Sequence, residues 1–345
     1  MSDSSQTDEK IEESNSRDVR KLYNSAMMPG WLCCITLVAA FFIGWNLTVK
    51  EAHGSTSEAA TESTAEATVS SESDSDSSDV AEPITADSGV VNWSWEEIGA
   101  VNDLLEQAET SSDVDEITEH YGLTDSSGNL KNISFVVDES NPNLTVRLID
   151  ISKDSDTDGF CMTFMFVDAV DYRAMSDDGT TSWEESSLRE WLNGDFYDSL
   201  PDDLKSEIKE VTLTTYSSGT AQETTDKIWL PSLTQVSGGL PESYFGGEYT
   251  DIINDYNQEG DQFRYYFEND VDPTVETGKG LTGARQDDNQ MAWWTRSMIP
   301  AELSHDGQAH FVVVDPADKE APGPFDFVHD RSSTAEYGVI PCFSL

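Results

Sequence analysis

The sequence is short of positive charge. It has 19 Lys and Arg against 67 Asp and Glu in 345 residues, a formal net charge of -48 at pH 7. A surface of that sign repels phosphate backbones, which excludes direct nucleic-acid binding. Cysteine is scarce as well. Of four in the chain, Cys33 and Cys34 lie inside an apolar run, and only Cys161 and Cys342 lie further on. Two distant cysteines cannot make the disulfide framework of a small secreted domain. Motifs that carry chemistry are missing too: there is no G-x-S-x-G elbow, no P-loop, no H-E-x-x-H and no Cys-x-x-Cys. His305, His310 and His329 have no such company, so no zinc site is expected.

Long apolar runs are also lacking, with one exception. "WLCCITLVAAFFIGWNLTV", Trp31 to Val49, carries no charge. At 1.5 Å per residue it spans roughly 28 Å, close to a bilayer core. Trp31 and Trp45 stand near its ends, where amphipathic rings prefer the interface. Arg17, Arg20 and Lys21 precede it and only Lys50 follows before a long acidic stretch. The positive-inside rule then places the N-terminal tail, residues 1–30, in the cytoplasm and the remainder outside. "NLTVKEAHG" offers no convincing small-x-small cleavage site, so the run reads as an uncleaved signal-anchor. Residues 50–92 are mostly Ser, Thr, Ala and acidic residues, too poor in large apolar side chains to offset ordering entropy. They read as a disordered stalk of roughly 35 Å or more.

Residues 93–131 read as a short helical region. Ser94 and Glu97 form a capping-box pattern, and Ile98, Val101, Leu105 and Ala108 recur at helical spacing. A second helix is expected from about Asp113 to Tyr121, ending at Gly122. This region can pack on a domain or lengthen the stalk. From about residue 132 the pattern is strand-like: "ISFVVD", then "LTVRLIDI" and "GFCMTFMFVDAV", the last two joined as a hairpin by "SKDSDTDG". Strand-like runs return in "AWWTRSM", "AHFVVVD" and "YGVIPCFSL". Strands at both ends with helices between predict an α+β domain over 132–345, its mostly antiparallel sheet closed by both termini.

Within that domain "SLREWLNGDFYDSL" reads as a structural spine. Leu188, Trp191 and Leu192 share a helical face, Ser186 or Ser187 can cap the helix, and Gly194 can end it. Phe196 and Tyr197 then turn inward, and Arg189 meets an acidic neighbour or a loop carbonyl. Trp191 is expected in the core, with ligand stacking as its other role. "DSDTDGF" opens like a calcium loop through Asp154, Asp156 and Asp158, but Met165 stands where an EF-hand needs a bidentate Glu. An ordinary acidic turn and a weak calcium site are its two readings, and no other cofactor is indicated. Glu184/Glu185 and Asp287/Asp288 are paired carboxylates, which carry little weight in so acidic a chain.

"TSWEESSLREWLNGDFYDSLPDDLKSEIKEV", "TTDKIWLPSLTQV", "WWTRS" and "YGVIPCFSL" together resemble the bacterial "domain of unknown function 6273" family over about residues 132–345. The signature positions are Trp183, Leu188, Arg189, Trp191, Leu192, Asn193, Phe196, Trp293, Trp294 and Arg296. Ile340 stands where that family usually has Arg, and Thr295 where Leu is usual. The order of elements is similar to C-type-lectin-like domains and to the formylglycine-generating enzyme group. This implies a lectin-like frame with paired N- and C-terminal strands. Such pairing would make the strands of Cys161 and Cys342 neighbours, with a disulfide and two separate thiols both open. The cysteine pair of the enzyme group and the E-P-N, Q-P-D and W-N-D sugar motifs of lectins are missing.

The expectation is a single-pass bacterial surface protein in the cell membrane. Its extracellular domain binds a glycan or protein ligand and does not catalyse, with contacts in the 236–290 loop region at Tyr244, Phe245 and Arg285. A cell-envelope glycan hydrolase using paired carboxylates and a purely structural envelope protein are the alternatives.

Overall fold

The structure is a computed structural model. It describes residues 81–153, 159–179, 182–217, 219–239, 250–269, 284–286, 289–299, 309–315 and 328–345, without the side chains of 252, 284–286, 289–291, 328 and 329. The apolar run 31–49, most of the stalk, the calcium-like Asp154, Asp156 and Asp158, and Tyr244 and Phe245 lie outside the described residues. Among the described residues no helix is long and apolar enough to cross a membrane.

The fold mixes α and β structure around two five-stranded sheets, where the sequence led us to expect one. The first sheet runs β1 (Ser88–Val91), β2 (Asn132–Asp138), β3 (Asn141–Lys153), β4 (Phe160–Phe166), β14 (Cys342–Ser344). β1 is parallel to β2, and every other pair is antiparallel. The β3–β4 hairpin forms as the sequence predicts, with Ser152 opposite Cys161 and Lys153 opposite Phe160. The second sheet runs β12 (Val328–Arg331), β11 (His310–Val314), β10 (Trp293–Ile299), β13 (Glu336–Val339), β5 (Asp171–Ala174), with only β10 and β13 parallel. Among the described residues two ribbons complete the strands: β6 (Val211–Ser217) with β7 (Thr220–Asp226), and β8 (Ala284–Gln286) with β9 (Asn289–Met291).

Of the two roles open to residues 93–131, the structure shows packing. Helix α1 (Trp95–Glu106) starts at Ser94 with the reciprocal Ser94–Glu97 capping box, and α2 (Ser111–His120) starts at Thr110 with the equivalent Asp113. The chain leaves α2 through Gly122 at φ 68°, where a Cβ would strike the Ile84 carbonyl. Trp95, Ile98, Val101 and Leu105 are buried. Trp95 also donates from Nε1 to the Val137 carbonyl at 3.1 Å, fixing α1 to β2. Phe135, Phe164 and Phe343 pack with Trp95 across the first sheet, at ring separations of 5.5–5.9 Å. Edge-to-face and offset rings of this kind add to the area they bury.

The expected neighbours β4 and β14 are neighbours, yet Cys161 and Cys342 do not form a bridge. Register is the reason. Cys342 lies opposite Met165, and at about 3.3 Å per residue four positions along the strand separate the thiols by roughly 13 Å. A disulfide needs Cα atoms within about 7 Å.

A hub of signature residues as the candidate functional site

The signature helix is more irregular than its sequence suggests. It begins as α3 (Ser187–Trp191), passes through a π-helical turn (Leu192–Phe196) and ends as α4 (Tyr197–Ser199), with the short helix α5 (Asp202–Glu207) following. Ser186 caps it by accepting the Arg189 N–H. Gly194 does not end it, because the chain widens into the π turn and continues. Asn193 lies in that turn, and its amide donates to the Arg189 carbonyl at 3.2 Å and to the Ile228 carbonyl at 2.9 Å. Its side-chain oxygen accepts the N–H groups of Lys227 and Ile228 at 2.8 and 3.2 Å. A π turn is rare and unfavourable alone; here it places one amide to brace a distant turn.

That turn begins at Asp226, the last residue of β7, and sequence reasoning passed it over. Asp226 is 1% exposed. One carboxylate oxygen accepts Arg189 Nε at 2.7 Å and the Asn193 amide at 3.2 Å. The other accepts Trp183 Nε1 at 3.2 Å and Thr224 Oγ1 at 2.8 Å. Four donors fill the acceptor capacity of a carboxylate. Arg189 is equally committed, since Nη1 and Nη2 donate to the carbonyls of Glu184 and Thr225. Both partners expected for Arg189, an acidic group and a loop carbonyl, are thus present. Above them lies a shallow cleft of ≈ 350 Å³ with Arg189, Asn193 and Asp226 as floor and the exposed Glu184, Glu185 and Glu190 as rim.

The turn continues into a second buried group. Arg296 in β10 is 1% exposed. Its Nη1 donates to the Leu230 carbonyl at 3.1 Å and to Gln235 Oε1 at 2.6 Å, and Nη2 to the Glu259 carbonyl at 2.6 Å. Ser297 accepts the Leu233 N–H at 2.8 Å and donates to the Glu259 carboxyl. Gln235 lies in α6 (Leu233–Ser237), capped by Ser232. Trp229 pairs with Cys342 through both backbone bonds, at 3.0 and 2.7 Å. "KIWLPSL" therefore makes a single bridge to β14 and no regular strand. Burial pushes the Arg296 guanidinium down from its ordinary value, against the opposing pull of Glu259. The same burial pushes the Cys342 thiol up, which suits a packed and unreactive cysteine.

Trp183, Leu188, Leu192, Phe196, Trp293 and Trp294 are buried. Trp191 is not: it is partly buried, with the Arg173 guanidinium 4.0 Å from its ring centroid and Phe196 at 5.2 Å. The core position expected for it is corrected. Leu188 and Leu192 take the centre of the apolar stripe, and the indole covers its edge. Tyr197 is likewise partly buried, beneath Lys227 at 4.7 Å. Trp191→Ala is expected to cost about 1.5–2.5 kcal/mol in urea unfolding, below the roughly 3–5 kcal/mol of a fully buried Trp. Ile340 and Thr295, the two departures from the family pattern, are both buried. Thr295 satisfies its hydroxyl on the Val312 carbonyl at 3.0 Å.

Most of the other expected site residues lie outside the described residues. Arg285 is in β8, its side chain outside the described residues, as are His305, the His329 side chain, Asp287 and Asp288. His310 is partly buried in β11. Among the described residues no group of three or more His, Cys, Asp and Glu side chains is placed to hold a metal ion.

The residues that hold the 226–235 turn, Trp183, Arg189 and Asn193 on one side and Arg296 on the other, are of the family pattern, and Trp293 and Trp294 precede Arg296 in β10. The family model "Domain of unknown function (DUF6273)" matches residues 162–345. The chain belongs to this family. No curated protein and no solved structure matches it. The DUF6273 match begins inside β4, so α1, α2 and β1 to β3 precede it while sharing its sheet and core. α8 (Arg264–Glu268), within the match, is also tied to this earlier part: Arg147 in β3 donates to the Tyr265 hydroxyl at 3.1 Å, and Glu268 accepts the Leu130 N–H at 2.6 Å.

Proposed function

We propose that this DUF6273 protein is a membrane-anchored ligand-binding module of the bacterial cell surface, with a cytoplasmic N-terminal tail and the folded domain outside. The observation that carries the binding reading is the saturation of the hub. Asp226 already accepts four hydrogen bonds, and Arg189 and Asn193 are held by carbonyls and backbone amides. Groups so occupied hold a frame rigid and leave little to offer a reacting substrate. The apolar run 31–49, the cations before it and the acidic stretch after it support the anchor and its orientation. We read the frame as C-type-lectin-like by analogy, since strands from both ends of the domain share one sheet. Ligand contact is assigned to the 236–290 region, with Tyr244, Phe245 and Arg285 as contacts.

Two measurements test this. Protease added to intact cells should remove the domain and leave the tail, and a protected domain would refute the topology. The full chain in nanodiscs should retain specific members of a glycan and peptide array without altering them. Turnover of a retained glycan that is abolished by Glu184→Gln or Glu185→Gln would instead favour the hydrolase, because these carboxylates rim the cleft above the hub.

A further inference from the structure

A buried carboxyl outside the hub's first half has no role in the reading above. Glu259 follows helix α7 (Thr250–Tyr256) and is 2% exposed. It reaches back into the body of the domain. One oxygen accepts the Tyr216 N–H of β6 at 2.9 Å, and the other meets the Ser297 hydroxyl of β10. Its own carbonyl receives Arg296. One residue thus ties the α7 segment to two separate elements. The chain then reverses at Gly260, φ 127°, where a Cβ would crowd the Gln235 side chain.

Among the described residues few charges face this carboxyl. Arg296 in β10 is the cation, but its bonded nitrogens go to carbonyl and amide oxygens and none to the carboxylate. Asp255 and Tyr256 face it from α7, and Asp330 of β12 in turn faces Tyr256. Ionised, Glu259 is a buried anion served by two neutral donors, and such a charge is costly. Protonated, it can donate to Ser297 Oγ and keep both ties.

We propose that Glu259 is a proton-operated pin, holding residues 250–260 to the domain when neutral and loosening them when ionised. Burial, ahead of the opposing Arg296, raises its carboxyl above the ordinary 4.5. In the opened segment the group is solvated and ordinary. The pin's contribution is therefore complete below about 4.5 and lost as pH rises through the higher folded value. Ile253 and Tyr256 pack with Leu233 and Val312 in a small cluster apart from the main core, so an opening that frees them is local.

The test is amide exchange on the full chain from pH 4.5 to 8, expressed as protection factors so that the intrinsic rate cancels. Peptides covering 250–260 should lose about tenfold in protection for each unit by which the folded value exceeds 4.5. Glu259→Gln, whose amide can accept from Tyr216 and donate to Ser297, should keep high protection at every pH. Asp255→Asn controls for the neighbouring carboxyl, itself held up by burial and then by Asp251, and should retain the wild-type slope. Protection unchanged with pH, or an equal slope in Glu259→Gln, overturns the proposal. Should that variant not fold, a carboxyl ¹³C titration of the wild-type chain decides: a Glu259 midpoint at or below 4.5 overturns it. Neither outcome bears on whether the domain binds a ligand.

Discussion

Asp226→Ala is expected to lower the unfolding free energy by roughly 3–5 kcal/mol, the range for removing one partner of a buried ion pair. The size follows from what is left behind. Arg189 Nε, Trp183 Nε1 and Thr224 Oγ1 lose this acceptor together, the Asn193 amide keeps the Arg189 and Ile228 carbonyls, and Trp183 is fully buried. Each stranded donor costs about 1–3 kcal/mol if water cannot reach it. Arg189 is partly exposed at its edge and can recover some solvation. That holds the sum below three full penalties. Asp226→Asn separates charge from geometry. One end of its amide would be an NH₂ group facing two donors, so it should recover little. Urea unfolding of the domain, followed by tryptophan fluorescence, measures both. A loss under 1 kcal/mol for the alanine variant would show that the signature residues do not act through Asp226.

The hub also shows what could be read from the chain and what could not. β2, β3, β4, β10 and β11 were legible because each is a compact apolar run bounded by turn residues. The ribbon β6–β7, "VTLTTYS" and "TAQETTD", was missed because its residues are mostly Thr and polar, and its pairing is cross-strand and half-exposed. β1 hides in a Ser- and Gly-containing linker and pairs with a strand more than forty residues on. The register of Cys342 against Met165 was equally hidden, since neighbouring strands do not fix alignment. Among site residues, Trp183, Arg189 and Asn193 were visible as a pattern. Their purpose was not, because Asp226 lies 43, 37 and 33 residues away from them. The signal that was present, a lone acid opening the apolar "KIWLPSL", gives no geometry. Trp191 was misplaced because helical spacing assigns a face without saying how deep each member of that face sits.

Arg296→Met should be the second severe substitution, costing about 3–5 kcal/mol. Methionine fills much of the volume but donates nothing, so the carbonyls of Leu230 and Glu259 and the Gln235 side chain each lose a donor. The carboxyl of Glu259 loses the cation that faces it among the described residues and should be held still further above its ordinary value. Arg296→Lys keeps charge yet cannot reach three oxygens in the fork geometry of a guanidinium, so it should recover less than half the loss. The second effect gives a sharper test than the first. If part of the damage is an ionised Glu259 left without Arg296, the loss in Arg296→Met grows with pH above the wild-type Glu259 value. In a Glu259→Gln background it should then be smaller at pH 8 by about 1 kcal/mol. A double-mutant cycle run at pH 5 and pH 8 separates the two terms. Equal coupling at both values would mean that Arg296 acts only through the carbonyls it bridges, and that its charge has no part in holding Glu259.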